Sequence, residues 1–394
     1  NINHSFDNNI WYHLALVYND QNNYDIYIDN TNTESNINNL ITAPITLNIG
    51  KKSGIFDNDN DINVELLEIY ENPITAREEH SMVAIGTDIY IFGGSDSTGL
   101  VNDFYKIDKT NNTAKSITLT SSGTTISERQ AHSMVAIGTD IYIFGGRDGS
   151  GLLNDFYKID TTNSYNVTPI TLSSSSGTAI SGRFSHTMVA IDKDIYIFGG
   201  RDGSGYSNDF YKINTNNNIA TPITLSSSGT TITGRYKHTM VAIGKDIYIF
   251  GGRDGSNYFL SDFYKINTTN DTAILITLTD ATITGRREHT MVAIGTDIYI
   301  FGGSDNTGRV NDFYKIDTTN DTATQIPLSS SGTTITGRIE HTMVAIDKDI
   351  YIFGGNSSGV SNDFYKITGY DSYFNGYISD LRLYSHSNIE YYEL

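Results

Sequence analysis

An arginine stands three residues before a histidine six times in this chain: Arg77/His80, Arg129/His132, Arg183/His186, Arg235/His238, Arg286/His289 and Arg338/His341. A guanidinium grips oxyanions with a planar fork of donors, and an imidazole ligates metals or moves protons near neutrality. Six such pairs in register could form a metal or anion ring. The alternative is structural. Each pair would bond backbone and the Asp of a downstream N/S-D-F-Y-K-I segment, and identical placement in every copy favours this reading. A second constellation is acidic. FDNDNDIN at 56–63 carries Asp57, Asp59 and Asp61 at alternating positions, with Glu68 eleven residues after Asp57. Calcium takes such dense hard-oxygen donors. The EF-hand pattern fails where it needs its glycine, because Ile62 stands there. A solvated acidic linker is the competing reading, so calcium is the one cofactor offered. Catalytic motifs are missing: no Ser-His-Asp order with a nucleophile elbow, no phosphate-binding glycine loop, no HExxH. With no cysteine there is no disulfide framework or thiolate nucleophile.

The pairs are positioned by a repeat. MVAIGTDIYIFGG occurs at 82–94, 134–146 and 291–303, MVAIDKDIYIFGG at 188–200 and 343–355, and MVAIGKDIYIFGG at 240–252. The period of about 52 residues belongs to stacked β-units. VAI and IYIF, bounded by Gly and Asp, predict two strands joined by a tight turn. DFYKI predicts a third. A fourth is expected at Ile117–Leu119, Ile170–Leu172, Ile223–Leu225, Ile274–Leu278 and Ile326–Leu328. IYIF is apolar on both faces, as a strand sandwiched between neighbours must be. The sixth copy lacks a fourth strand, and VELLEIY at 64–70 has the spacing to supply it.

The paired glycines closing each IYIF, the aromatic of NDFYKI and the Arg-x-x-His together resemble the kelch β-propeller family. The resemblance implies six four-stranded blades around a channel, over residues 57–369. One departure is the tryptophan usual on the fourth strand. Here Ile-Thr-Leu stands there and Trp11 lies outside the repeats, which predicts an aliphatic wedge between blades. The flanks resemble laminin-G-like, concanavalin-type lectin domains. The matching residues are Trp11, His13–Ala15, Tyr27–Asp29, Ile49–Gly50, Phe374, Gly376, Ile378 and Asp380–Tyr384. Strands are expected at 9–18, 24–29 and 45–50. Reading 50–54 into 370–374 restores the family order, so residues 1–56 and 370–394 are expected to form one interrupted sandwich. Upstream residues or another chain would complete it. The expected fold class is all-β: a six-bladed propeller plus a partial jelly-roll sandwich.

Net charge is −19, which argues against nucleic acid, and no apolar run is long enough to span a membrane. Asn1 opens the chain and all six methionines lie within repeats, so a fragment or processed product is expected. Function must come from where copies differ. Blades three and four pool Phe184, Arg201, Tyr206, Tyr236, Lys237, Arg253, Tyr258 and Phe259 at one end. Exposed aromatics beside polar groups suit sugar stacking or a protein anchor. Drift among recent duplicates is the competing account. Sequons stand at Asn3, Asn111, Asn166, Asn267, Asn270, Asn320 and Asn356, five of them (Asn111 to Asn320) as candidate glycosylation sites. The expected function is non-catalytic recognition of glycan or protein, displayed in many copies on a cell or virion surface. An intracellular, cytoplasmic kelch scaffold is the alternative, and a propeller oxidase or hydrolase the second.

Overall fold

A computed structural model describes residues 74–368 apart from 111, 122–124, 178, 228–230, 257 and 331–334. Toward the N-terminus it describes the strands Leu14–Asn19, Asn23–Ile28, Thr31–Thr33 and Ile62–Leu66. No helix occurs among the described residues. The larger of two compact units spans Asn58–Ser372.

Among the described residues of that unit each copy contributes one large sheet with an antiparallel four-stranded core, and four copies add a short hairpin sheet beside it. The fourth copy is representative: Thr239–Ile243, Asp246–Phe250, Phe263–Asn267 and Thr272–Ile276 pair in that order. The first turn needs a left-handed residue, and Gly244, Asp192 or Asp347 takes it in different copies (φ +60°, +54° and +57°). In every copy Ile, Tyr, Ile and Phe of the second strand are buried on both faces. The first strands contact one another in turn, and the last contacts the first at Ser81–Ile85, closing a ring.

Each core cluster straddles two sheets. Val241, Tyr248, Phe250 and Phe263 pack with Met291, Ile298, Ile300 and Ala323 of the next copy, with Ile283 between them. Full burial of one such side chain contributes about 1.5–3 kcal/mol. The wedge is therefore mixed rather than aliphatic: Tyr248 stacks on Phe263 with centroids 5.7 Å apart, a pair repeated in all six sheets.

The fourth strand starts about four residues earlier than expected, at Thr113–Ser116, Asn166–Pro169, Ile219–Pro222, Thr272–Ile276 and Thr322–Gln325. Left-handed residues such as Asn112, Asn218, Asp271 and Asp321 reverse the chain sharply, and a buried Ala or Val then faces the neighbouring sheet. The Ile of Ile-Thr-Leu follows the strand in most copies. Its N–H still donates to the Phe opening the third strand, as from Ile117 to Phe104 at 2.7 Å.

The linkers then lie parallel along the next sheet's outer edge. Ser173–Ser174 pairs with Ile219–Ala220, and Ser226–Ser227 with Thr272–Ala273. Such covering blunts an exposed edge. At the seam, Ile62–Leu66 pairs antiparallel with Phe364–Thr368 (Ile367 opposite Val64), two residues ahead of the segment expected there. Leu328–Ser330 covers its far edge.

Of the other unit, a three-stranded antiparallel sheet of Leu14–Asn19, Asn23–Ile28 and Thr31–Thr33 is described. The remaining sandwich elements, Trp11, the aspartates Asp57, Asp59 and Asp61, and the sequons Asn3 and Asn111 lie outside the described residues.

Candidate functional site

The six repeated arginines are locks. Arg77 is fully buried and uses every donor it has. Nη1 reaches Asp103 Oδ1 at 2.6 Å and the Gly93 carbonyl at 3.0 Å. Nη2 reaches Asp103 Oδ2 and Thr75 Oγ1, each at 2.8 Å, and Nε reaches the Thr75 carbonyl at 3.2 Å. Its guanidinium also lies 5.4 Å from the Tyr105 ring centroid. The same fork ties Arg129 to Asp155, Arg235 to Asp262 and Arg286 to Asp312. Arg183 and Arg338 hold Asp209 and Asp363 through Nη2. A buried guanidinium is tolerated when it is paired and hydrogen-bonded, and all six are bound to an aspartate and to a glycine carbonyl.

The histidines pack edge-on to the phenylalanine closing the second strand of the preceding sheet, as His238 does on Phe198 at 5.3 Å. Four of them meet a threonine of that sheet through Nε2, such as Thr187 Oγ1 to His238 at 2.8 Å. Burial, then the neighbouring arginine charge, depresses all six, with His186 and His341 at about 3. Neutral histidines and fully committed arginines cannot form an anion ring. No group of three or more acidic or histidine residues arranged for a metal occurs among the described residues.

The double glycines bring the loops together. Gly251 and Gly252 have φ of +67° and +92°, and a Cβ on Gly252 would stand 2.7 Å from His238 Cβ. The hairpin after each pair bridges the segment entering the first strand: Glu78 to Ser95, Gln130 to Arg147, Tyr236 to Arg253, Arg287 to Ser304 and Ile339 to Asn356. Phe184 pairs with Arg201 in the third copy. Both variable sets therefore share one face.

On that face the aromatics are not the open platform expected. Tyr236 is buried at 9% exposure, while Tyr258 is exposed at 71%. Phe184, Tyr206 and Phe259 are half-buried. Phe184 and Tyr206 close on Tyr236 at 6.4 and 5.2 Å. Arg147 covers Phe184, Arg201 covers Tyr206 and Arg287 covers Phe259, at 5.1, 5.7 and 5.6 Å. The rings bury one another because they are tilted and crowded, and tilted rings offer no flat surface to a sugar.

The same face carries cations, two of them already paired: Arg147 with Glu79 at 3.4 Å and Arg287 with Glu288 at 3.3 Å. Among the described residues, the arginines outside the locks are Arg147, Arg201, Arg253, Arg287 and Arg309. All five belong to loops of this face, in copies two to five. The strand lysines are spent elsewhere, each on the Asp that opens the second strand, as in Lys106 to Asp88 at 2.7 Å.

Sequence reasoning missed the central ring. The residue before each repeated histidine is left-handed: Glu79, Ala131, Ser185, Lys237, Glu288 and Glu340, with φ between +51° and +59°. Each of the six donates its N–H to the carbonyl of the preceding one, and Glu79 closes the circle on Glu340. Lys237 Nζ bonds Glu288 Oε1 and reaches Glu340 Oε1 at 2.8 Å and Glu79 Oε1 at 3.8 Å. The column of three glutamates and one lysine is visible among the variable pairs inside Arg-x-x-His; that its members meet around one ring is not.

Of the sequons, Asn267 donates to Asp246 at 2.9 Å, Asn270 accepts from Thr272 Oγ1 at 2.7 Å, and Asn320 donates to Asp317 at 2.8 Å. Asn166 opens a fourth strand and is half-buried. Asn270 and Asn320 are exposed.

The sequence matches the KLHDC2/KLHL20/DRC7 Kelch-repeats domain family over residues 54–177, 80–230 and 185–368. It is 29% identical to human Kelch domain-containing protein 3, over 58% of this chain and 61% of that protein. It is 26% identical to the Drosophila melanogaster Leucine-zipper-like transcriptional regulator 1 homolog, over 74% of this chain and 30% of that one. With Tip elongation aberrant protein 1 of Schizosaccharomyces pombe it shares 30% identity over 48% of this chain and 16% of that protein. The chain thus spans less than two thirds of the length of these relatives. The family match covers most of its residues, all six repeats included, and the chain belongs to the kelch-repeat family.

Proposed function

We propose that this protein is a protein-interaction scaffold, a six-bladed kelch β-propeller that holds a partner segment against its loop face. Arg201, Arg253 and Arg309 would meet carboxylates of the partner, beside Arg147 and Arg287, which already pair with Glu79 and Glu288, and Tyr258 would supply an exposed ring for an apolar anchor. The observation that carries the reading is the placement of these five arginines. In a chain of net charge −19, every described arginine not used in a lock stands on one face. Drift among duplicates would scatter them.

The intracellular scaffold takes precedence over a displayed glycan adhesin. The family match and the relatives' names, a transcriptional regulator and kelch-domain proteins, support it. The crowding of Tyr236 also removes the stacking platform that an adhesin needs. The lectin-like sandwich at the chain ends remains a separate proposal, which a structure of those segments would test.

The experiment is affinity capture with quantitative mass spectrometry, followed by titration of the captured partner as a purified protein. Arg201→Ala/Arg253→Ala/Tyr258→Ala should weaken binding at least tenfold. Lys245→Ala, in the turn between first and second strands, should leave it unchanged. Equal binding by the triple variant, or equal loss with Lys245→Ala, sinks the reading. The same protein on a glycan array addresses the adhesin, and strong glycan binding would restore it.

A further inference from the structure

The central ring is uneven. Four of its six N–H to carbonyl bonds measure 2.8–3.0 Å, while Glu340 to Glu288 measures 3.4 Å, Glu79 to Glu340 3.2 Å, and Ala131 to Glu79 2.9 Å falls among the short ones. The two long bonds are those that join glutamate to glutamate. Glu288, Glu340 and Glu79 occupy three consecutive places on the ring, with Lys237 before them and the uncharged Ala131 and Ser185 completing it. The backbone bonds are thus longest where the three carboxyl groups adjoin, and ionised carboxylates placed side by side repel.

The charges facing the cluster come from several loops. Lys237 of the fourth copy lies among the three glutamates. Arg147 Nη2 of the second copy stands 3.4 Å from Glu79 Oε2, and Arg287 Nη1 of the fifth stands 3.3 Å from Glu288 Oε1. Glu78 turns away to accept from Asn356 at 2.8 Å. His80, His289 and His341 beneath are buried and held neutral by burial and by the arginine beside each. Glu288 Oε2 is buried with no hydrogen-bond partner. Three cations thus face three carboxylates, yet Arg147 is nearly half exposed, so its charge is well screened by water.

We propose that Glu79, Glu340 and Glu288 form a proton-operated clasp on the loop ring: fully ionised they hold its glutamate side open, and one proton shared between Glu79 and Glu340 draws it closed. Burial and then the Glu340 charge raise Glu79 from 4.5 to about 7. It therefore holds its proton more tightly than a free glutamate. Glu340 feels the same burial, but Lys237's charge and hydrogen bond bring it below the usual range, so the proton resides on Glu79 and Glu340 accepts it. The sign follows. The folded state holds this proton more tightly than the unfolded chain, so the clasp adds stability as pH falls through about 7 toward 4.5 and adds none above.

Backbone hydrogen exchange read as protection factors tests the clasp. In the unaltered protein, protection of the Glu79 and Glu340 amides should rise several-fold from pH 8 to pH 6. Glu79→Gln, neutral at both, should hold the pH 6 protection throughout. Glu128→Gln, exposed and not a member of the ring, should behave as the unaltered protein. Unchanged protection between the two pH values, or a Glu79→Gln protein that keeps the change, overturns the proposal. Should the variant not fold, carbon-13 detection of the Glu79 carboxyl decides in the unaltered protein: a midpoint near 7 supports the clasp and one near 4.5 refutes it.

Discussion

Mild acid should loosen this protein through its six buried histidines. Each imidazole is shut away from water behind a glycine pair and beside an arginine, so the folded state does not protonate it near pH 6. The unfolded chain does, with the ordinary value of 6.5. A histidine whose folded value is depressed costs stability as pH falls through its unfolded value. Between pH 7.5 and 5.5 each unfolded imidazole becomes about nine-tenths protonated, which is worth about 1.4 kcal/mol. Six of them give a loss of about 8 kcal/mol as an upper bound. Glu79 works the other way. Its raised value and that of Glu288 return part of this over the same window, leaving a net loss of several kcal/mol. That is comparable to the whole stability of many domains. Urea unfolding followed by far-UV circular dichroism at the two pH values reads the loss as a fall in midpoint at constant slope. His132→Gln removes one titrating ring that, unlike four of the others, meets no threonine, and should take up about one proton fewer on unfolding at pH 5.5. An unchanged or higher midpoint at pH 5.5 would refute the claim that these rings are locked neutral.

Two further outcomes separate lock from face and glycine from glycine. Arg235→Met strands Asp262 and the Gly251 carbonyl and should cost about 3–5 kcal/mol, whereas Arg201→Met on the exposed face should cost under about 0.5; thermal unfolding measures both, and similar melting temperatures would contradict the division. Gly252→Ala places a methyl 2.7 Å from His238 Cβ at a φ of +92° and should destabilise by more than about 2 kcal/mol, while Gly255→Ala, which meets only the Tyr206 ring at 3.4 Å, should be near neutral by the same assay.

Much of the repeat could be read from the chain because its signals are local. DIYIF is β-branched and aromatic throughout, so both its faces must be covered. Two glycines in succession mark a backbone that passes where no Cβ fits, and Gly252 against His238 is that place. The lock was also foreseeable, since an arginine and an aspartate recur 25 to 27 residues apart in every copy and each needs a partner of the other's charge. The fourth strand was misplaced because Ile-Thr-Leu looks more β-like than Thr-Ala-Lys-Ser. The left-handed turn at Asn112 and the room left for Ala114 by the neighbouring sheet outweigh that propensity. Tertiary structure alone decided which variable residues are available. Phe184, Tyr206 and Tyr236 lie in different strand ends, and only their convergence shows that they bury one another and leave Tyr258 outside. The ring of Glu79, Glu288, Glu340 and Lys237 depends on closure even more strongly. Glu79 and Glu340 are 261 residues apart in sequence. They become neighbours, and alter each other's proton affinity, only because the first strand of the last copy packs against the first strand of the first.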